Sequence, residues 1–363
     1  MNLKHKIIAS SKQLFEVIEL IKETKIFSLD TEFTRQTTYY PILSTIQIAV
    51  KNSKKEQELF LIDCLEKIDL SNFFAIIADE KIVKIMHSCA QDLQIFNHQS
   101  NLQPQSVVDT QIMANFCGFN FSVGYSNLVE VFFKKALNKQ QQRSNWQLRP
   151  LTQEQIEYAL LDVVFLEEIY ENLLEVLHKK SRHNWLCQEM QNFTDKILNK
   201  SDESLTKNFS FRGKSSKQIF QIKSLISCRE NWARKINVPR QHLIKDEAIE
   251  NLVLNREINL NLNHELKAEI KEILQQKSED FAQNDFLEKE SEMQNLMTAS
   301  QKNCYLEAKK LINKICLQEN FKEQFLISSS DLKKAICNTK NFDKAVSGWR
   351  YQLFGQDLKK LIT

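Results

Sequence analysis

A chain of 363 residues is long enough for two or three domains at the usual size of roughly 150 residues. With 5 glycines, 4 prolines and neither GxGxxG nor GxxxxGK[ST], it lacks the loops of dinucleotide-binding and P-loop enzymes. A formal charge of +3 excludes little, but eight cysteines without a CxxC pair argue against a zinc module and for a reducing compartment, so a cytoplasmic location is expected.

The opening MNLKHKIIASSKQLFEV lacks the long apolar run of a signal peptide, and nothing later reaches the ~20 apolar residues of a membrane span. No membrane association is expected, and a monomer is the default. Strands are predicted at KIFSLD (25–30), LSTIQIAV (43–50), ELFLID (58–63) and KIVKIMH (81–87), the last followed by a helix from CAQDLQIFNHQ. Three closely spaced strands, then strands separated by helices, predict a mixed α/β sheet with helices on its faces. Thr152, with Gln155 as its capping-box partner, predicts the start of one long helix through QEQIEYALLDVVFLEEIYENLLEVL. Trp146 and Trp185 are expected to pack between helices.

The polar stretch KSDESLTKNFSFRGKS (200–215) predicts a linker. Beyond it the pattern is all helical, through QIFQIKSLISCRENWARKIN, DEAIENLVLN and HELKAEIKEILQQ, then a second set from about 303 to the end. From Lys207 to Lys245 there are ten basic residues against one acid, Glu230. That suits a polyanion, although a solvated helical surface accounts for the same charges. Arg229, Arg234, Lys235, Arg240 and Lys245 are the candidate phosphate contacts, and Trp232, Ala233 and Ile236 fit a helical core.

Four acids are the candidates for the chemistry. Asp30 and Glu32 are two apart at a strand end, so they face one side of the strand. Asp92 opens the helix after KIVKIMH, and Asp162 lies one turn from Tyr158 on the long helix. Converging carboxylates without matching lysines repel one another unless cations bind, and an all-oxygen set selects Mg²⁺ or Mn²⁺. Two such ions can serve a phosphoryl displacement. Phe33 and Arg35, beside the pair, are candidate contacts to a nucleic-acid base and backbone. His87 alone reads as structural.

DTEF (30–33) followed by RQTTYYP, HSCAQDL (87–93), DTQIMANFCG (109–118) and EYALLD (157–162) together resemble the DEDD exonuclease superfamily in its tyrosine-containing branch, and within it bacterial ribonuclease D. ISCRENWARKINVPRQHLIKDEAIENL is similar to the helicase-and-RNase-D C-terminal (HRDC) helical module, which that family usually carries twice. The resemblance implies a ribonuclease H-like exonuclease domain at 1–200 and HRDC-like domains at 211–290 and 291–363. It implies that Asp30, Glu32, Asp92 and Asp162 bind two divalent ions while Tyr158 orients the attacking water. It further implies 3′-to-5′ hydrolysis of RNA with a free 3′ end to nucleoside 5′-monophosphates, with tRNA precursors as substrate. The competing expectations are a DNA 3′-5′ exonuclease and a noncatalytic RNA-binding adaptor.

Overall fold

The computed structural model describes residues 3–138, 140–199, 205–206, 208–256, 258, 260–276 and 297–362. Part of the expected linker and the whole of the 277–296 stretch therefore lie outside the described residues. Two compact units emerge, one formed by Met1–Thr34, Leu43–Asn199 and Ala299–Thr363, the other by Arg35–Ile42 with Lys200–Thr298.

In the first unit a six-stranded mixed sheet is built from β1 (His5–Ile8), β2 (Ile26–Thr34), β3 (Ile42–Lys51), β4 (Gln57–Asp63), β5 (Val83–Met86) and β6 (Val107–Asp109), in the order β1-β4-β3-β2-β5-β6. β4 runs antiparallel to β3 and parallel to β1, while β2, β5 and β6 are mutually parallel. The edge strands β1 and β6 escape the sequence reading because four and three residues are too few for a periodic signal. β3, by contrast, is buried along nearly its whole length, as a strand covered on both faces must be.

Helices α1 (Ser11–Thr24), α2 (Ser71–Ala78) and α3 (Ala90–Ser100) follow β1, β4 and β5 in sequence. Phe27 of β2 meets Phe73 of α2 edge-on, and Phe73 meets Phe96 of α3 likewise. α4 (Thr110–Cys117) and α5 (Tyr125–Phe133) then lead to α6 (Gln153–Val164), which starts at Thr152 with the expected capping box. Its Ile156, Ala159, Leu160 and Val163 pack on Ala49, Leu59, Leu61 and Ile85 of the sheet. Each large aliphatic side chain so buried contributes roughly 1.5–3 kcal/mol, which fixes α6 against the sheet.

The single long helix expected after Thr152 is two, α6 and α7 (Leu166–Lys179), broken at Phe165. The cause is Tyr125. Its hydroxyl donates to the Leu161 carbonyl at 2.8 Å and accepts from the Phe165 amide at 3.3 Å, the two groups that a continuous helix would join. A side chain inserted into the ladder is a recognised origin of a sharp kink. Nothing local in QEQIEYALLDVVFLEEIYENLLEVL signals a partner 40 residues upstream.

The C-terminal helices, beginning with Ala299–Glu319, cluster with the sheet-bearing unit. Arg350 forks onto Glu189 of α8 (His183–Leu198) at 2.5 and 2.9 Å, and Trp349 donates to the same carboxylate at 2.8 Å. Trp349 also stacks among Trp185, Phe116 and Phe325. Trp185 thus packs between helices as expected.

The second unit is helical around α9 (Ser216–Lys235), α10 (Arg240–Leu243), α11 (Asp246–Val253) and α12 (His264–Gln275). Its core comprises Ile222, Leu225, Ile226, Trp232, Ile249, Leu266 and Ile270, among others. Ile236, expected in that core, is instead exposed, because α9 ends there and the chain turns through Asn237 at positive φ.

Candidate active site

β2 brings Asp30 and Glu32 to its C-terminal end, and α6 places Asp162 opposite them. Oxygens of these three carboxylates lie within 4.8 Å of one another. Asp92, in the first turn of α3, is buried and lines the same cavity but stands outside that group of three. Its Oδ1 accepts a hydrogen bond from the hydroxyl of Thr31, the residue between the two acids of β2.

The cavity has a volume of about 490 Å³, and no lysine or arginine is among the described residues that line it. Four acids therefore share a space without a protein cation. Burial pushes the Asp30 carboxyl well above the usual range, with Asp92, Asp162 and Glu32 adding repulsion. Glu32 is pushed up to about 9 by burial and then by Asp162 and Asp92. Asp92 is raised to about 6, mainly by burial, although the Thr31 bond opposes the rise. Their raised affinity for protons is what a divalent cation would compete against on binding. Close, purely oxygen donors are the chemistry of Mg²⁺ or Mn²⁺, so the residues fit such ions.

Tyr158 lines the cavity one turn before Asp162. Burial raises its phenol pKa, and the charges of Asp162, Glu32 and Asp30 and a hydrogen bond to Asp162 raise it further. The phenol consequently keeps its proton and acts as a hydrogen-bonding group. Trp146, fully buried, lies with its ring 6.1 Å from that of Tyr158. Phe33 lines the cavity beside Glu32. His87 lines it too, with Nδ1 2.9 Å from Thr110 Oγ1, and burial lowers its pKa against the pull of Asp109.

The candidate nucleic-acid contacts divide. Arg35 is exposed, its Nε donating to the Tyr39 carbonyl at 2.9 Å. Lys235 and Lys245 are exposed, the former over the Trp232 ring at 4.3 Å. Arg234 and Arg240 flank the buried carboxylate of Glu230 at 3.7 and 3.6 Å, and Arg234 also donates to the Tyr39 hydroxyl at 3.1 Å. Arg229 is a correction. It is 1% exposed and binds the Ile244 carbonyl at 2.9 Å and Asp246 at 2.6 Å, so it cannot meet a phosphate from the folded surface. Its spacing from Leu225, Ile226, Trp232 and Ala233 by three or four residues was the available signal, since it places Arg229 on the apolar face. Asp246→Ala leaves this guanidinium buried without its carboxylate and is expected to cost about 3–5 kcal/mol, read as a lower midpoint in urea unfolding of the helical unit.

Comparison with known proteins agrees with this geometry. Residues 5–178 match the family described as 3′-5′ exonuclease. Ribonuclease D of Bartonella henselae is 28% identical over 99% of this chain and 91% of its own. That of Gluconacetobacter diazotrophicus is 33% identical over 67% of this chain and 61% of its own. The crystal structure of Escherichia coli RNase D, described as an exoribonuclease involved in structured RNA processing, superposes with a TM-score of 0.82 at 23% identity, covering 99% of both chains. The catalytic core of RRP6 from Trypanosoma brucei gives 0.56 at 17% identity, over 76% of this chain and 79% of that one. With its acidic cavity carried on a mixed sheet and its helical segments following, the chain belongs to the ribonuclease D family of the DEDD exonucleases.

Proposed function

We propose that this protein hydrolyses the terminal phosphodiester at RNA 3′ ends and releases nucleoside 5′-monophosphates, acting as a cytoplasmic monomer on tRNA precursors. The observation that carries the reading is the cluster of Asp30, Glu32 and Asp162 beside Tyr158, in a cavity whose described lining has no lysine or arginine. In this reading Asp30, Glu32, Asp162 and Asp92 hold two divalent ions, Mg²⁺ or Mn²⁺. Bound there, the ions would acidify a water and stabilise the leaving 3′-oxygen.

The chain's own residues do the rest. Tyr158, kept protonated, donates a hydrogen bond that sets the water's line of attack, and Asp162 accepts from the phenol when no substrate is present. The Thr31 hydroxyl fixes one oxygen of Asp92 and so aims the other. Phe33 offers a ring face to the terminal base. The exposed cations Arg35, Lys235 and Lys245, together with Arg234 and Arg240, attract the RNA backbone. The segments 211–290 and 291–363 are assigned as two HRDC-like modules, and Ala299–Thr363 of the second clusters with the catalytic unit.

The test is a 5′-labelled single-stranded RNA incubated with the protein and Mg²⁺, beside EDTA, Asp92→Asn and a matched DNA. A ladder shortening from the 3′ end, abolished by EDTA and by the mutation, is the expected result. Internal cuts would assign a different nuclease mode, preference for the DNA would reassign the substrate, and metal-independent binding without release would favour an adaptor. Tyr158→Phe removes the hydrogen bond and leaves the carboxylates in place. Turnover is expected to fall by about 10²–10³ with Mn²⁺ affinity unchanged, the loss typical of one preorganised hydrogen-bonding group. Single-turnover rates with calorimetric Mn²⁺ titration check both halves.

A further inference from the structure

One carboxylate close to the site takes no part in the hydrolysis. Asp109 ends β6 and is 1% exposed. Its Oδ1 accepts from the amides of Gln111 at 2.8 Å and Ser88 at 2.9 Å, and its Oδ2 from the amide of Cys89 at 3.0 Å. The Cys89 thiol lies 3.5 Å from Oδ2. Both oxygens are thus engaged by protein donors, which leaves Asp109 poorly suited to bind an ion.

The Gln111 bond makes Asp109 the N-cap of α4. The other two bonds reach a different element, the turn between β5 and α3. That turn is strained, because Ser88 sits at a φ of 57°, where an L-residue's Cβ crowds the following carbonyl. Helix α3 begins there with Cys89 as its N-cap, and the Cys89 side chain makes no capping bond. What fixes the start of α3 is therefore Asp109, through the backbone of Ser88 and Cys89. Three residues further on stands Asp92, held from the far side by Thr31. Thr110 reinforces the same turn, its hydroxyl donating to the Met86 carbonyl at 3.0 Å and lying against His87.

We propose that Asp109 is a positioning residue for Asp92: its carboxylate locks the Ser88–Cys89 turn from which α3 directs Asp92 into the metal-binding cavity. This rests on the reading of Asp92 as a metal-binding acid. Thr31 and Asp109 then grip Asp92 from two sides, one at the side chain and the other at the helix origin. Outer partners of metal-binding groups act in this way, by holding the ligand where the ion requires it.

Two substitutions separate this role from ordinary capping. Asp109→Asn replaces an acceptor by an NH₂ group that meets an amide donor. Asp109→Ser keeps a competent N-cap for α4 but cannot span to Ser88 and Cys89. Calorimetric titration of the full-length protein with Mn²⁺, far below the melting temperature, is compared among wild type, both variants and Asp92→Asn, with the melting temperature in EDTA alongside. Both Asp109 variants are expected to weaken Mn²⁺ binding by about 10–100-fold. Asp109→Ser is expected to melt lower than wild type, because the Ser88 and Cys89 amides lose their acceptor, yet to remain folded at the titration temperature, so it decides the question if Asp109→Asn does not fold. Wild-type Mn²⁺ affinity in Asp109→Ser, beside a weakened Asp92→Asn, would overturn the positioning role while leaving the metal site intact. Wild-type affinity in Asp92→Asn would instead remove Asp92 from the metal site, and the proposal with it.

Discussion

Asp30→Asn is expected to give a protein that is inactive with Mg²⁺ and yet melts at a higher temperature than wild type when both are metal-free. Asp30 is the most heavily opposed of the acids, since burial, Asp92, Asp162 and Glu32 all disfavour its charge. A neutral amide of the same shape removes the cost of neutralising that carboxyl on folding. The stability gain should be about 0.5–2 kcal/mol, the range seen when a strained functional site is relaxed, and each kcal/mol raises Tm by about 2–4 °C for a unit of this size. The loss is larger. Asp30 offers an oxygen to the cluster with Glu32 and Asp162, and its removal forfeits several kcal/mol of transition-state stabilisation, a rate loss of roughly 10³ or more. Melting curves in EDTA and in Mg²⁺, with rates on labelled RNA, measure both effects. A variant that is less stable than wild type in EDTA would show that repulsion does not govern the site.

The same opposition explains why the acids could be found in the sequence. Asp30 and Glu32 interrupt an apolar strand at a spacing that points both one way, and Asp162 sits among Leu160, Leu161, Val163 and Val164. Charges in such surroundings need compensation, and no lysine or arginine is among the described residues that line the cavity to supply it. What stayed hidden were bonds between distant segments. Thr31 to Asp92 spans 61 residues and Tyr125 to Leu161 spans 36, and neither leaves a periodic trace. Arg229 shows the opposite failure. Its neighbours placed it on the buried face of α9, but the count of basic residues along the segment hid the position of each one. A charge tally reads the segment's average, whereas function depends on which face each cation occupies. Glu230, the only acid in that segment, is likewise buried and holds Tyr39 along with Arg234 and Arg240.

Removing the metal should also reverse the usual direction of pH dependence. Glu32 titrates at about 9 and Asp92 at about 6 in the folded protein, and Asp30 is raised as well, whereas unfolded carboxylates titrate near ~4. Between those limits the folded chain binds more protons than the unfolded one, so stability falls as pH rises. The metal-free protein should therefore lose stability progressively from about pH 4 to about pH 9. Lys84 acts the other way. Burial lowers it to about 7, so its contribution grows more favourable as pH climbs from there toward the ordinary lysine range. Subtracting the melting temperature in EDTA from that in saturating Mg²⁺ at each pH cancels Lys84, which is not among the residues lining the cavity. That difference is expected to widen steadily between pH 5 and about 9, because each ion bound displaces protons that burial and repulsion have retained. Calorimetry in two buffers of different ionisation enthalpy should register the same protons as they are released. A difference that stays flat across this range would mean that the carboxylates are already ionised without metal, held by a cation or by water that their surroundings do not otherwise reveal.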